Sequence, residues 1–184
     1  DRSVAHGAPT LDAKALRAAY RAWWPRAAPH PWQRAVAAAR LGEAGADKAL
    51  VAVLDDPRAY RLVRASVTRL LGRYGEAARA PLLRACGDLD GLVRRAALTA
   101  LGGTRGPDVD AQLLTGLTDP SRAVRTAAAR AALEGWTRVQ ENRALLRAAL
   151  PVLAADAASV PDDDQRWFRL GAAYELAEDV ASAV

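Results

Sequence analysis

Few side chains in this 184-residue chain are suited to covalent or metal chemistry: two histidines, His6 and His30, and one cysteine, Cys86. A single cysteine closes no intrachain disulfide and builds no cysteine-rich metal site. No Gly-x-Ser-x-Gly elbow, no glycine-rich phosphate loop ending in Lys and Ser or Thr, and no His-Glu-x-x-His helix occurs. The run Asp162-Asp163-Asp164 has the residue type for a cation, but adjacent acids point in different directions, so it is expected to cap a helix. The abundant chemistry is that of arginine, with 24 Arg against 2 Lys. Planar guanidinium suits bidentate recognition of carboxylate or phosphate, and four arginines, Arg34, Arg64, Arg94 and Arg125, recur at almost equal intervals.

That spacing implies a repeated element. The segments Trp32-Gln33-Arg34 to Leu41-Gly42, Leu62-Val63-Arg64 to Leu71-Gly72, Leu92-Val93-Arg94 to Leu101-Gly102 and Ala123-Val124-Arg125 to Ala132-Leu133 align. Ahead of the arginine, apolar triplets stand at fixed distances before Asp56, Asp88 and Asp119: Leu50, Val51 and Leu54, then Leu82, Leu83 and Cys86, then Leu113, Leu114 and Leu117. Each unit therefore reads as helix, turn, helix, and Cys86 takes a core position. Asp56-Pro57 and Asp119-Pro120 stop the first helix and offer a cap to the second, and Asp88-Leu89-Asp90-Gly91 uses glycine instead. Glycines at 42 and 45, at 72 and 75, and at 102, 103 and 106 are expected to close helices in the left-handed conformation. The second helices carry apolar stripes, Val63, Ser66, Val67, Leu70 and Leu71 in one and Val93, Ala96, Ala97, Ala100 and Leu101 in the next. One pair is too small to bury its stripe, so pairs must stack. The fold class is all-α, an α-solenoid of stacked antiparallel helix pairs. Alanine-rich and arginine-rich composition agrees with helix, and nothing resembling an uncharged span of about 18 residues occurs.

The net charge of +5 divides into +10 over residues 1–155 and −5 over residues 156–184. A basic body attracts anionic partners over long range. Arg34, Arg64, Arg94 and Arg125 are expected to form a structural ladder to turn carbonyls or to Asp56, Asp88, Asp90 and Asp119. Arg69, Arg95 and Arg130 lie off the apolar stripes and are the candidates for touching a partner. Trp23 and Trp24 are consecutive, so one of them is expected at the surface as a further contact.

An acid-proline turn followed by Val-Arg, an alanine-rich stretch and Leu-Gly resembles the HEAT repeat in its short bacterial form. The organisation expected is an extension over 1–10, about four helix pairs over 11–135, a connecting helix over 136–160 bent or interrupted at Pro151, and a last segment over 161–184. That segment carries Trp167-x-x-Leu170-Gly171-x-x-Tyr174, which resembles the opening of a tetratricopeptide repeat, the alternative being an ordinary helix burying Trp167, Leu170 and Tyr174. The N-terminus is neither an initiator Met nor a signal peptide and the chain has no Met, so it is expected to be a piece of a longer protein.

This order of repeats, with His30-Pro31-Trp32 opening the array, is similar to the C-terminal half of certain bacterial multihaem c-type cytochromes. The resemblance implies a support module of a larger electron-transfer protein, periplasmic or in the cell envelope, whose partner is another domain of the same polypeptide or a redox protein. It also implies haem c in the rest of that protein, with His30 as a candidate axial ligand to a haem held there. No Cys-x-x-Cys-His occurs here, so this chain attaches no haem covalently. The competing reading is a nucleic-acid-binding protein or DNA glycosylase of HEAT-like architecture, using a basic groove.

Overall fold

The computed structural model describes residues 31–134 and 142–178, together with positions 15, 18, 19, 22 and 30. The chain divides into two compact units, residues 1–30 and 31–184. In the first, Ala15, Ala18, Ala19 and Ala22 are helical. His6, Trp23 and Trp24 lie outside the described residues.

The second unit contains α1 (Pro31–Leu41), α2 (Ala46–Leu54), α3 (Arg61–Leu71), α4 (Arg79–Ala85), α5 (Gly91–Leu101), α6 (Pro107–Leu117), α7 (Arg122–Leu133), α8 (Arg143–Ala158) and α9 (Asp164–Glu178), with a 3-10 stretch, Gly72–Ala78, ahead of α4. Helices α2/α3, α4/α5 and α6/α7 form antiparallel pairs. The second members form one layer, α3 packing on α5 and α5 on α7, while α2, α4 and α6 back them. Helix α8 packs on α7 and α6, and α9 packs on α8. This is an all-helical solenoid, with no strand among the described residues.

The core is a run of small aliphatic side chains: Leu50, Val67, Leu71, Leu82, Val93, Leu101, Leu113 and Val124 are sealed from solvent, and Leu145 and Leu146 extend the run into α8. Cys86 is half-buried beside this core. Burial pushes its thiol up to about 12, so at neutral pH it stays protonated and is a poor nucleophile.

Three details differ from the pattern expected of the sequence. Ser66 does not join the buried stripe of α3; it is exposed, and Thr68 is sealed instead, its hydroxyl donating to the Arg64 carbonyl at 2.7 Å. That local bond satisfies a polar group that hydropathy alone would place outside. Gly72 and Gly102 are not left-handed, with φ of −54° and −51°. At Gly72 the need is for space: a Cβ there would lie 3.0 Å from the Ala100 Cβ and 3.2 Å from its Cα, so the missing side chain lets α3 meet α5 closely. Of the other glycines expected to be left-handed, Gly42, Gly45, Gly75 and Gly106 do take positive φ (70°, 77°, 54° and 142°). Helix α8 runs unbroken through Pro151, which is exposed, so the carbonyl it leaves without a helical donor lies on the outer side of the helix.

Candidate interaction groove

The repeated arginines are built into the turns. Arg94, at the start of α5, forms a bidentate pair with Asp119 of the following turn, Nε to Oδ2 at 2.7 Å and Nη2 to Oδ1 at 3.0 Å. Its Nη1 donates to the Asp88 and Leu89 carbonyls of its own turn at 2.9 and 3.1 Å. Arg64 does the same one repeat earlier, with Nε on the Leu54 carbonyl at 3.0 Å and Nη1 and Nη2 on the Asp88 carboxylate. Among the described residues Arg125 reaches its own turn alone, donating to the Asp119 and Pro120 carbonyls at 2.7 and 3.0 Å. Asp88 and Asp119 also accept backbone N–H groups two residues on, from Asp90 and Ser121. Asp90 caps α5 through the Leu92 N–H at 2.8 Å. The guanidinium of Arg94 holds the Asp119 carboxyl below its ordinary range, and Asp119 in turn raises Arg94.

Among the described residues no forward rung forms on Asp56. Asp56 is exposed and accepts the Arg58 N–H at 2.9 Å, with no guanidinium on it among the described residues. The forward bonds span 24 and 25 residues, from Arg64 to Asp88 and from Arg94 to Asp119. The same reach from Arg34 arrives at Arg58 or Ala59, so Asp56 falls short of the register. Arg34 itself is exposed on the first turn of α1. From Arg125 the reach arrives at Ala149 or Leu150, and again no acid is present.

Opposite the core, the second-helix layer opens into a groove of about 1310 Å³. Small side chains line it, among them Ala65, Ser66, Ala96, Thr99, Thr126 and Ala127. Among the described residues six arginines line it, Arg69 from α3, Arg95 from α5, Arg122 and Arg130 from α7, and Arg166 and Arg169 from α9, against two acids, Glu134 and Asp156. The groove thus gathers all three arginines singled out off the apolar stripes.

The six differ in their bonding. Asp156 is buried and shared: Arg130 Nη2 donates to its Oδ2 at 2.7 Å and Arg166 Nη1 to its Oδ1 at 2.9 Å. Arg122 makes one long bond, 3.4 Å, to the Ala155 carbonyl. Arg69, Arg95 and Arg169 are exposed and bond to no group among the described residues. Sequence reasoning missed Arg122, Arg166 and Arg169, the last two because the acidic balance after residue 155 hid them. For Arg166 and Arg169 the available signal was a helix following the Asp162–Asp164 turn; for Arg122 it was its place beside Arg125 at the start of a second helix.

At the C-terminal end, Asp163 accepts the Arg166 N–H and Nε at 3.3 and 2.8 Å, and that guanidinium holds its carboxyl below the ordinary range. Helix α9 buries only Leu170 of the set Trp167, Leu170 and Tyr174 that the ordinary-helix alternative placed inside. Leu170 and Ala173 face the core, whereas Trp167 and Tyr174 are 45% and 44% exposed, Trp167 donating its indole N–H to the Pro161 carbonyl at 2.9 Å. Leu170 and Ala173, with Leu176 and Ala177 packed beside them, supply the core side of α9, which leaves the larger rings outside. His30 is exposed. Among the described residues no three His, Cys, Asp or Glu gather as a metal ion would require, and no helix is long and apolar enough to cross a membrane.

Residues 48–134 match the family model for HEAT repeats, a stretch that takes in the three pairs from α2 to α7. No curated protein and no solved structure shows significant similarity to the chain.

Proposed function

We propose that the chain is a non-catalytic helical-repeat interaction module whose arginine-lined groove is the surface that receives a protein partner. The observation that carries this reading is the contrast within one residue type: the repeat arginines Arg64, Arg94 and Arg125 are consumed by turns and acids, while Arg69, Arg95 and Arg169 line the groove beside small side chains and bond to none of the described residues. A solenoid built from nearest-neighbour contacts leaves such a face open along its length. The test is site-specific photo-crosslinking in the source cells. A benzophenone side chain at Thr99, in the groove lining, is expected to give a discrete protein adduct, and one at the exposed Thr115 of α6 is not. Adducts at Thr115 alone, or a Thr99 adduct destroyed by nuclease, would replace this reading.

The similarity of the repeat order to multihaem cytochromes makes a redox domain the partner to look for first, with haem c carried by that domain, His30 as a candidate axial ligand and the cell envelope as its place. It rests on the order of repeat types and on His30-Pro31-Trp32. The coding sequence upstream decides it: Cys-x-x-Cys-His motifs support the proposal and their absence removes it.

A further inference from the structure

Resting on the groove as the partner surface, we infer that its occupant is a short acidic protein segment that also carries aliphatic side chains, and not a nucleic acid. The charge argument comes first. Arg69, Arg95 and Arg169 pair with none of the described residues, and of the two acids among the six arginines of the described lining, Asp156 is already shared between Arg130 and Arg166. The described lining therefore carries an excess of positive charge, six arginines against two acids, which attracts carboxylate and phosphate alike.

Apolar surface separates the two. Leu62 is 66% exposed, and with Leu92, Leu133 and Val160 it lines the same groove as the arginines. A phosphodiester backbone leaves such leucines wet, whereas an aliphatic side chain removes them from water at about 25 cal/mol per Å². Single-stranded nucleic acid is usually held by aromatic platforms on which bases stack, and the described lining includes no Trp, Tyr or Phe. Guanidinium beside leucine is the lining that an Asp- or Glu-bearing segment with interspersed Leu, Ile or Val complements.

Size follows from the helices. Neighbouring helices pack roughly 8–10 Å apart, so the path over α3, α5 and α7 is about 20 Å. At about 3.3 Å per residue, an extended segment of about six residues covers it. That is the dimension of a linear motif or an exposed tail.

Fluorescence anisotropy on the full chain tests the assignment with five probes: a labelled peptide alternating Glu and Leu over eight residues, its Gln/Leu and Glu/Ser counterparts, and a twelve-nucleotide strand offered single and paired. The Glu/Leu peptide is expected to bind most tightly at 150 mM NaCl, each counterpart about tenfold more weakly. The variant Arg69→Gln/Arg95→Gln/Arg169→Gln is expected to lose about tenfold for the Glu/Leu peptide with an unchanged melting temperature, since these exposed side chains are not tied into the fold. Leu62→Ser is expected to weaken the same peptide severalfold. Tighter binding of either oligonucleotide, equal binding of the Gln/Leu peptide, or indifference to the triple variant would overturn the inference. Sedimentation showing a dimer that the triple variant abolishes would also overturn it, by assigning the groove to a second copy. If the peptide fails while the Thr99 adduct persists, the groove remains the partner surface and only the acidic assignment falls.

Discussion

Arg94 ties two repeats together by donating to both carboxylate oxygens of Asp119 in the next turn and to the Asp88 and Leu89 carbonyls in its own. A lysine in its place supplies one flexible charge and no fork, so Arg94→Lys is not a conservative change there. The pair is largely shielded, with side-chain exposures of 18% and 10%, and charge-assisted hydrogen bonds of this kind contribute about 1.5–3 kcal/mol. Urea unfolding is expected to show Arg94→Lys destabilised by about 2 kcal/mol. Arg69→Ala, at an exposed arginine of the preceding second helix, should stay within about 0.5 kcal/mol of the parent. Equal losses for the two would mean that the bonding contrast between them has no energetic content. The arginine period is legible in the sequence alone, and so is the identity of three groove arginines. The register of the ladder is harder to see, although the sequence contains it: at the forward reach from Arg34 there is no acid.

At the scale of helices, close approach is set by what is missing. Gly72 has ordinary helical dihedrals, so a side chain meets no backbone strain there; it meets Ala100. Gly72→Val is expected to push α3 from α5 and cost about 1–3 kcal/mol as overpacking. Adding Ala100→Gly should return part of that loss, a coupling that calorimetry on the four proteins of the cycle would read. No recovery would place the cost elsewhere. The helix pairs themselves are legible, because acid-proline turns and apolar triplets mark their ends redundantly. What escapes is the rotation of each helix about its axis. Ser66 and Thr68 differ by a methyl group and two positions, and only a neighbour's surface decides that the first faces the groove while the second is sealed. On α9 the same problem hides the outward turn of Trp167 and Tyr174.

For the repeat unit as a whole, acid is the sensitive direction. Asp119 and Asp108 are held below their ordinary range, first by hydrogen bonds from Arg94 and Arg79. A carboxyl whose folded pKa is depressed contributes stability that is complete above its unfolded value, about 3.9, and is lost as pH falls through the folded value. Stability is therefore expected to be flat from pH 7 to about 5 and to decline below about 4. Arg94→Gln should flatten that decline by removing the Asp119 contribution, as denaturant midpoints across pH 7 to 2.5 would show. An acid limb identical to the parent's would detach Asp119 from it.

The forward bonds also give the array a direction. Arg64 and Arg94 each reach the turn of the unit that follows, and the units share almost one length. Duplicating or deleting one whole unit keeps every forward reach intact while adding or removing one stretch of groove lining. Binding length is thus adjustable in steps of a single exon-like module, without redesign of the joints, and a lineage could fit the groove to longer or shorter tails by copy number alone.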